Sequence, residues 1–574
     1  MKQFVLWLVI LTLALSLQAQ NQNPGKKNFQ RCATDEYLQK LLAKDHGLKS
    51  RLEAAEIQLS RTMDQKFRLQ KQQGNHRINS TVTIPVVVHI ILPNPEIVTD
   101  ADVQWQIDRL NTDFAGLNED SVNAGPFASL FGHSNIQFCL AQRDPRGNPT
   151  NGIQRIASNT KFDQNNFNNL KYASNCGADA WDTEQYFNIW VAESTDGTLG
   201  IATFPHGGPD NEQGIVIAHE GFGNNPAYTA PNFNLGRTAV HEAGHFFFAR
   251  HIWGDGGGCQ PDFPVVSGLT GSWVDDTPTQ SGPTNGCPSG ILAAGCGSPN
   301  PPGKMYQNYM DYTNDACYCM FTKNQVLRME AALELFRGSL MTSDKCTPAP
   351  IFPNDAALFA IIAPRPANSC SFVGNNTCDS DISPIVTLRN YGSANLTSVV
   401  FNIKVDNNAP TTFHWTGNLA PNASLNVTLP AVFAAPGSHT LTIYVTDPNG
   451  SADGRNTNDT LSVDFNVVSS QSLPLTQGFE SATFPPPGWL IINQPSTSTT
   501  WERTTLASKE GTASARIRFY DYSNGDGHTD YLVSSPVDVG DEGQVILSFD
   551  RAYWPYSTDP SYADSLAIVV STDC

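Results

Sequence analysis

The sequence predicts a multidomain chain. An α/β domain, a mixed twisted sheet with two long helices, one of them carrying a metal site, is followed by an Ig-like β-sandwich and a jelly-roll-like β domain. Three observations lead there. At 574 residues the chain is too long for one hydrophobic core, and about three or four domains is the expectation. Between residues 82 and 346, β-branched runs alternate with helical periodicity, whereas beyond residue 354 short alternating strands are separated by Asn, Gly and Pro turns. Only 16% of the residues are charged while Gly and Pro are plentiful, which suits loop-rich β domains better than helix bundles. The formal net charge of −19 argues against nucleic acid, whose phosphates it would repel.

Residues 1–19 read as a secretory signal, with Lys2 ahead of an apolar run from Phe4 to Leu17 and Ala19 before the cleavage point. That run is too short to span a bilayer comfortably, and no other stretch qualifies. A secreted or cell-surface protein, not an integral membrane protein, is therefore expected, and export makes its twelve Cys candidates for disulfides. Residues 20–80 are polar, with a helical pattern from about Asp35 to Lys71, and their place between a signal and a folded domain suggests a removable propeptide. Cys32 within it has two readings. Its thiolate could fill an open metal position and keep the site latent, or it is an ordinary disulfide partner or spare thiol.

The α/β domain, residues 81–347, opens with Thr83–Leu92, a β-branched run of the buried-strand kind, in which His89 is a core histidine. Asp100–Phe114 reads as an amphipathic helix opening with an Asp cap. Ile136–Ala141, Tyr186–Ala192, Gly200–Phe204 and Gly214–Ala218 read as further strands. A helix from about Asn234 then carries His241-Glu242-Ala243-Gly244-His245, with His251 six residues on. Histidines four apart lie on one helical face and can hold one zinc, His251 can supply a third nitrogen, and Glu242 can reach a bound water as general base. Three nitrogens leave the fourth tetrahedral position open, as in a catalytic site. His219-Glu220 has no second His at the required spacing and is a decoy. Asp275, Asp276 and Thr277 place hard oxygens on one loop and suit Ca²⁺, a solvated turn being the alternative.

Three blocks in this order, His241-Glu-x-x-His-x-x-Phe-x-x-His251 with Ile-Trp-Gly-Asp, then Val274-Asp-Asp-Thr-Pro278, then Asn308-Tyr-Met-Asp-Tyr312, resemble the pappalysin branch of the metzincin metalloproteases, cytophagalysins and ulilysin in particular. The resemblance covers about residues 82–346 and implies a zinc endopeptidase acting on protein or peptide substrates. It implies zinc on His241, His245 and His251, Glu242 as base, Met310 as an apolar floor, and Tyr312 as a hydrogen-bond donor to the tetrahedral intermediate. Asp315 would lie at the base of the pocket for the residue after the scissile bond, selecting Arg and perhaps Lys. Calcium and two disulfides near the site are implied as well, the latter pairing Cys287 with Cys317 and Cys259 with Cys296. Cys139–Cys176, Cys319–Cys346 and Cys370–Cys378 would complete the set, leaving Cys32 and Cys574 unpaired. One departure stands out, since Phe248 occupies a turn where many metzincins have Gly.

The sandwich is expected over residues 354–468 and the jelly-roll domain, of the MAM or cleaved-adhesin type, over 472–574, where Val545–Asp550 and Asp564–Ser571 read as strands. Contacts to a cell surface, protein or carbohydrate are the expected work of these modules, and further strands are expected beyond Cys574. Two competing readings are a zinc protease of another clan, with a distant Glu in place of His251, and an inactive zinc-containing adhesin.

Overall fold

The computed structural model describes residues 29–73, 80–254, 258–259, 274, 276–296, 302–364, 376–377, 380–494, 499–521, 529–540, 545–553 and 565–570. The signal segment, Asp275, Cys370, Cys378 and Cys574 lie outside them.

The helical pattern at the start forms two helices, α1 (Thr34–Lys44) and α2 (Leu48–Gln73), where one was expected. The break has a local cause. The Asp45 carboxylate accepts from Gly47 N at 2.9 Å, an Asx turn that competes with helical continuation. The next elements are β1 (Val82–Leu92), α3 (Asp100–Ala115), β2 (Ile136–Leu140), β3 (Ile153–Ala157), β4 (Phe187–Ala192), β5 (Gly200–Ala202) and β6 (Ile215–Ala218). They form one mixed sheet in the order β2-β1-β4-β6-β5, with β3 beside the second half of β1. All pairings are parallel except that of β5, which runs antiparallel to β6 at the edge. Buried on both faces, β1 and β4 are accordingly near-continuous apolar runs. His89 is a satisfied core residue, its ring nitrogens facing Gln154 at 2.7 Å and Asn188 at 3.0 Å.

Helix α3 is capped by Thr99, not Asp100. A capping box joins Thr99 to Asp102, whose carboxylate reaches back to the cap. The site helix α4 (Arg237–Phe246) starts later than expected, because Gly236 enters it in the left-handed conformation (φ 66°). Every residue of α4 is buried. Phe246 and Phe247 drive its end into the sheet, Phe246 lying 4.3 Å from Phe187. Helix α5 (Lys323–Phe336), capped by Thr322, and the short α6 (Gly338–Thr342) close the domain.

The disulfides Cys287–Cys317 and Cys259–Cys296 are present. Two other expected pairings are corrected. Cys139 bonds Cys346, because β2 lies beside the segment after α6, where Gln142 N donates to Lys345 O at 2.8 Å. Cys176 belongs to a different disulfide, and Cys319 is a free, buried thiol.

The described residues of 356–467 form two main sheets, and a two-stranded pair of Asp381–Ile382 with Val432–Phe433, around one core that includes Leu388, Phe401, Ile443 and Phe465. One sheet orders Ser424–Thr428, Ile385–Asn390 and Ala356–Ala363; the other orders Thr411–Leu419, Leu396–Val405, Gly437–Thr446, Thr460–Val467 and Asn376–Thr377. Asn458 Nδ2 donates to Asn148 Oδ1 at 2.8 Å and ties this unit to the α/β domain. Beyond residue 470 the described strands pair only two at a time. The strands expected at Val545–Asp550 and Asp564–Ser571 do not form among the described residues, and Ile546 and Val570 there are 80% and 82% exposed. Alternation fits a strand only where a neighbour supplies ladder partners and covers the apolar face.

Candidate metal centre and cleft

Four side chains converge at the end of α4. The ligand atoms of Cys32, His241, His245 and His251 all lie within 4.8 Å of one another, and all four residues are buried. The helical spacing brings His241 and His245 together, with Nε2 atoms 3.2 Å apart, and a sharp turn returns His251 so that its Nε2 is 3.0 Å from that of His245. Phe248 makes that turn in the left-handed region, at φ 72°. The strain, about 1–2 kcal/mol, is thus borne by a residue with a β-carbon. Its carbonyl accepts from Arg328 Nε at 2.7 Å, and the Arg328 guanidinium lies 4.9 Å from the centre of its ring. Both contacts hold the turn.

The donors fit zinc. Zn–N bonds of about 2.0–2.1 Å set tetrahedral nitrogens about 3.3–3.4 Å apart, slightly more than the separations here. His241 Nδ1 faces Tyr309 O at 2.6 Å and His245 Nδ1 faces Ala249 O at 2.8 Å. Each carbonyl can take an N–H from the outer nitrogen, leaving the Nε2 lone pair turned inward. Burial, then the neighbouring histidines, push His241 well below the usual imidazole range, so it is neutral and ready to ligate. Burial and then Glu242 push the Cys32 thiol well above its ordinary range, a setting in which a cation at the shared centre would stabilise the thiolate.

Glu242 follows His241 on α4, and burial lifts its pKa to about 7. Thr34 Oγ1 donates to Glu242 Oε2 at 2.9 Å and accepts from Ala202 N at 2.8 Å. On the opposite side the carboxylate passes Gly200, where a Cβ would come within 2.5 Å of it. Only glycine allows that approach. Met310 lies beneath α4, its Sδ 2.6 Å from where a Cβ on Gly244 would stand. The Tyr312 hydroxyl donates to Cys32 O at 3.2 Å.

Asp315 closes the cleft on one side. Its Oδ2 accepts from Leu235 N at 2.8 Å and Arg237 N at 3.3 Å, at the start of α4. Its Oδ1 meets Arg31 Nη2 at 2.7 Å. Arg31 Nη1 donates to Thr238 Oγ1 at 3.0 Å and Nε to Tyr318 Oη at 3.2 Å, with the Tyr318 ring 4.6 Å from the guanidinium. Arg31 and Cys32 enter along β5: Gln30 forms a parallel bridge with Thr198, and Ala33 N donates to Gly200 O at 3.1 Å. Arg31, Thr34, Thr238, Tyr318 and Gly200 escaped sequence reasoning. An Arg next to the candidate switch cysteine, set against the acidic pocket expected at Asp315, was the available signal for the first of them.

The described part of the loop at which calcium is expected makes local hydrogen bonds. Asp276 Oδ2 accepts from Asn324 N at 2.9 Å in the first turn of α5, and Thr277 Oγ1 donates to Val274 O at 3.0 Å.

Peptidase_M43, described as pregnancy-associated plasma protein-A, matches residues 171–334. An extracellular metalloprotease of Pyricularia oryzae is 30% identical over 269 residues, 45% of this chain and 77% of that protein. The chain belongs to the pappalysin family of metalloproteases. A second pappalysin relative, an extracellular metalloprotease of Arthroderma benhamiae, is 36% identical over 164 residues, 28% of this chain and 51% of its own length. The chain thus spans about half the length of that relative. A solved structure of a promirolysin mutant from Tannerella forsythia is 36% identical and covers 54% of this chain and 97% of its own, with a TM-score of 0.45. Both relatives are named extracellular metalloproteases, and among the described residues no helix is long and apolar enough to cross a membrane.

Proposed function

We propose that the chain is a secreted zinc endopeptidase, made as a latent precursor, that cleaves protein or peptide substrates before Arg. The observation that carries the reading is the seating of Arg31. A guanidinium offers donors in a fixed fork, and three of its nitrogens here meet separate acceptors, Asp315, Thr238 and Tyr318. A Lys ammonium is one point and cannot reach all three, so the pocket favours Arg over Lys.

His241, His245 and His251 would hold the zinc, which when bound supplies Lewis acidity toward a peptide carbonyl and lowers the pKa of water. Glu242 takes the proton of the attacking water and hands it to the leaving amine, and a carboxyl with a pKa near 7 suits both roles. The hydrogen bond from Thr34 Oγ1 to Glu242 supports this, since a hydroxyl occupies the place a reacting water needs. The Tyr312 hydroxyl, now on Cys32 O, would donate to the oxyanion. The edge of β5, along which residues 30–34 lie here, would pair with an extended substrate once that segment has left.

In the precursor, Cys32 Sγ would be the fourth ligand and would exclude water. The parallel bridge of Gln30 with Thr198 supports a plug that resists hydrolysis: Arg31 precedes Cys32 yet fills the pocket meant for the residue after the scissile bond. A structural Ca²⁺ at Asp275, Asp276 and Thr277 belongs to the same proposal, and so do surface contacts by the Ig-like and jelly-roll-like modules.

Four peptides differing only after the scissile bond, with Arg, Lys, citrulline or Leu, test the pocket. Citrulline keeps the shape of Arg without its charge. The expected order of kcat/KM is Arg first, Lys and citrulline at least tenfold lower, Leu last. Equal rates for Arg and Leu would remove Asp315 from recognition.

A further inference from the structure

Outside the cleft, α2 buries a charge. Glu56, 2% exposed, lies among Leu52, Ala55, Leu59 and Met63 on the face of α2 that packs against Leu327, Ala331 and Ala332 of α5 and against Phe204 and Phe248. A carboxylate in such surroundings requires counter-charge. Glu56 Oε1 meets Arg328 Nη2 at 2.7 Å, Arg250 Nη2 at 3.1 Å and Arg250 Nε at 3.2 Å, while Oε2 meets Arg328 Nη1 at 3.0 Å. The Arg328 contact is a two-point fork. Both arginines belong to the α/β domain and flank the Phe248 ring, at 5.8 Å for Arg250 and 4.9 Å for Arg328. Arg328 Nε is also bonded to Phe248 O within that domain, so its guanidinium is positioned without help from α2.

We propose that Arg250 and Arg328, with the apolar face of α5 and the rings of Phe204 and Phe248, form a receptor for an amphipathic helix bearing one inward carboxylate. Its occupant is α2, which stays bound there after the chain is cut ahead of the α/β domain. The proposal rests on the reading of residues 20–80 as removable, and it deepens that reading: cutting alone does not release the segment. Truncating one partner of a buried charge pair leaves the other charges uncompensated, a loss large enough to dominate binding. The pair Lys66–Glu334, by contrast, lies at the partly solvated margin, meets at a single point and contributes less.

In full-length protein carrying Glu242→Gln, to suppress self-digestion, a site for a sequence-specific protease is placed within residues 74–79 and cut. Retention of the amino-terminal fragment is then followed by size exclusion on serial dilution. The wild-type fragment is expected to co-elute with the body. Glu56→Gln should raise its dissociation constant about 100-fold or more, Glu56→Asp less, and Lys66→Ala under about threefold. Cys32→Ala should leave the fragment bound. If Glu56→Gln lowers the folding yield, the order wild type, Asp, Gln remains the criterion in Glu56→Asp protein. A Glu56→Gln fragment held as tightly as wild type, or release by Cys32→Ala alone, overturns the proposal. The readout is binding, so it stands apart from whether the processed chain is a peptidase.

Discussion

The two parts of the amino-terminal segment meet the α/β domain by different means. Residues 30–33 enter the cleft through the bridge at Gln30, Thr34 opens α1, and nearly every contact these residues make is directional: Arg31 to Asp315, Thr238 and Tyr318, Cys32 to the histidines and Tyr312, Thr34 to Glu242 and Ala202. Helix α2 lies outside the cleft and buries Leu48, Leu52, Ala55, Leu59 and Met63 around a single carboxylate. This stretch therefore reports what the cleft recognises, because each polar group it brings matches one the cleft offers. The helix reports only how firmly the segment is held. Adhesion and chemical recognition are carried by different residues, and substitutions should separate them.

The largest expected effect lies on the chemical side. Glu242→Gln should lower kcat/KM of the processed enzyme by about 10³–10⁴-fold while zinc, measured by metal analysis, stays near one per chain. Full activity in that variant would remove Glu242 from the mechanism. Asp315→Ala should cost about 100-fold on a substrate with Arg after the scissile bond and under about threefold on its Leu counterpart. A uniform loss would make Asp315 a purely structural anchor of α4. Cys32→Ala should raise the activity of the uncut precursor at least tenfold, yet leave it below the processed form, since Arg31 still fills its pocket. An uncut variant with no activity would assign latency to the stretch as a whole instead of the thiol. The smallest effect concerns the turn. Phe248→Gly relieves about 1–2 kcal/mol of strain but loses a buried ring worth about 3–5 kcal/mol, so thermal unfolding should show a net loss of about 2 kcal/mol. A gain in stability would mean that the ring and its flanking guanidiniums contribute little.

The same division explains what could be read from the sequence. The clustering of His241 and His245 was legible because a four-residue spacing on a helix maps directly to one face, whereas the roles expected of Met310, Tyr312 and Asp315 came only from the family resemblance. Buried strands such as β1 and β4 were legible because they are continuous apolar runs. Arg31 and Thr34 were not, since nothing in a local pattern tells which cleft group an entering stretch will meet. Glu56 looked like one more polar residue in a helical pattern, and its burial depends on Arg250 and Arg328, 194 and 272 residues away. Cys139–Cys346, with a sequence separation of 207, fails for the same reason. Among the described residues of 545–550 and 565–570 the strand pattern was misleading, because a strand exists only with a partner.

On the proposed function, a zinc peptidase would select Arg through the pocket that Arg31 occupies in the precursor. The most direct test is a peptide-library cleavage profile of the processed protein, run with and without a zinc chelator and beside the uncut precursor. Cleavage before Arg by the processed form is expected, abolished by the chelator and restored by zinc, with little cleavage by the precursor. Cleavage that survives the chelator, or a profile with no preference for Arg at that position, would contradict the proposal.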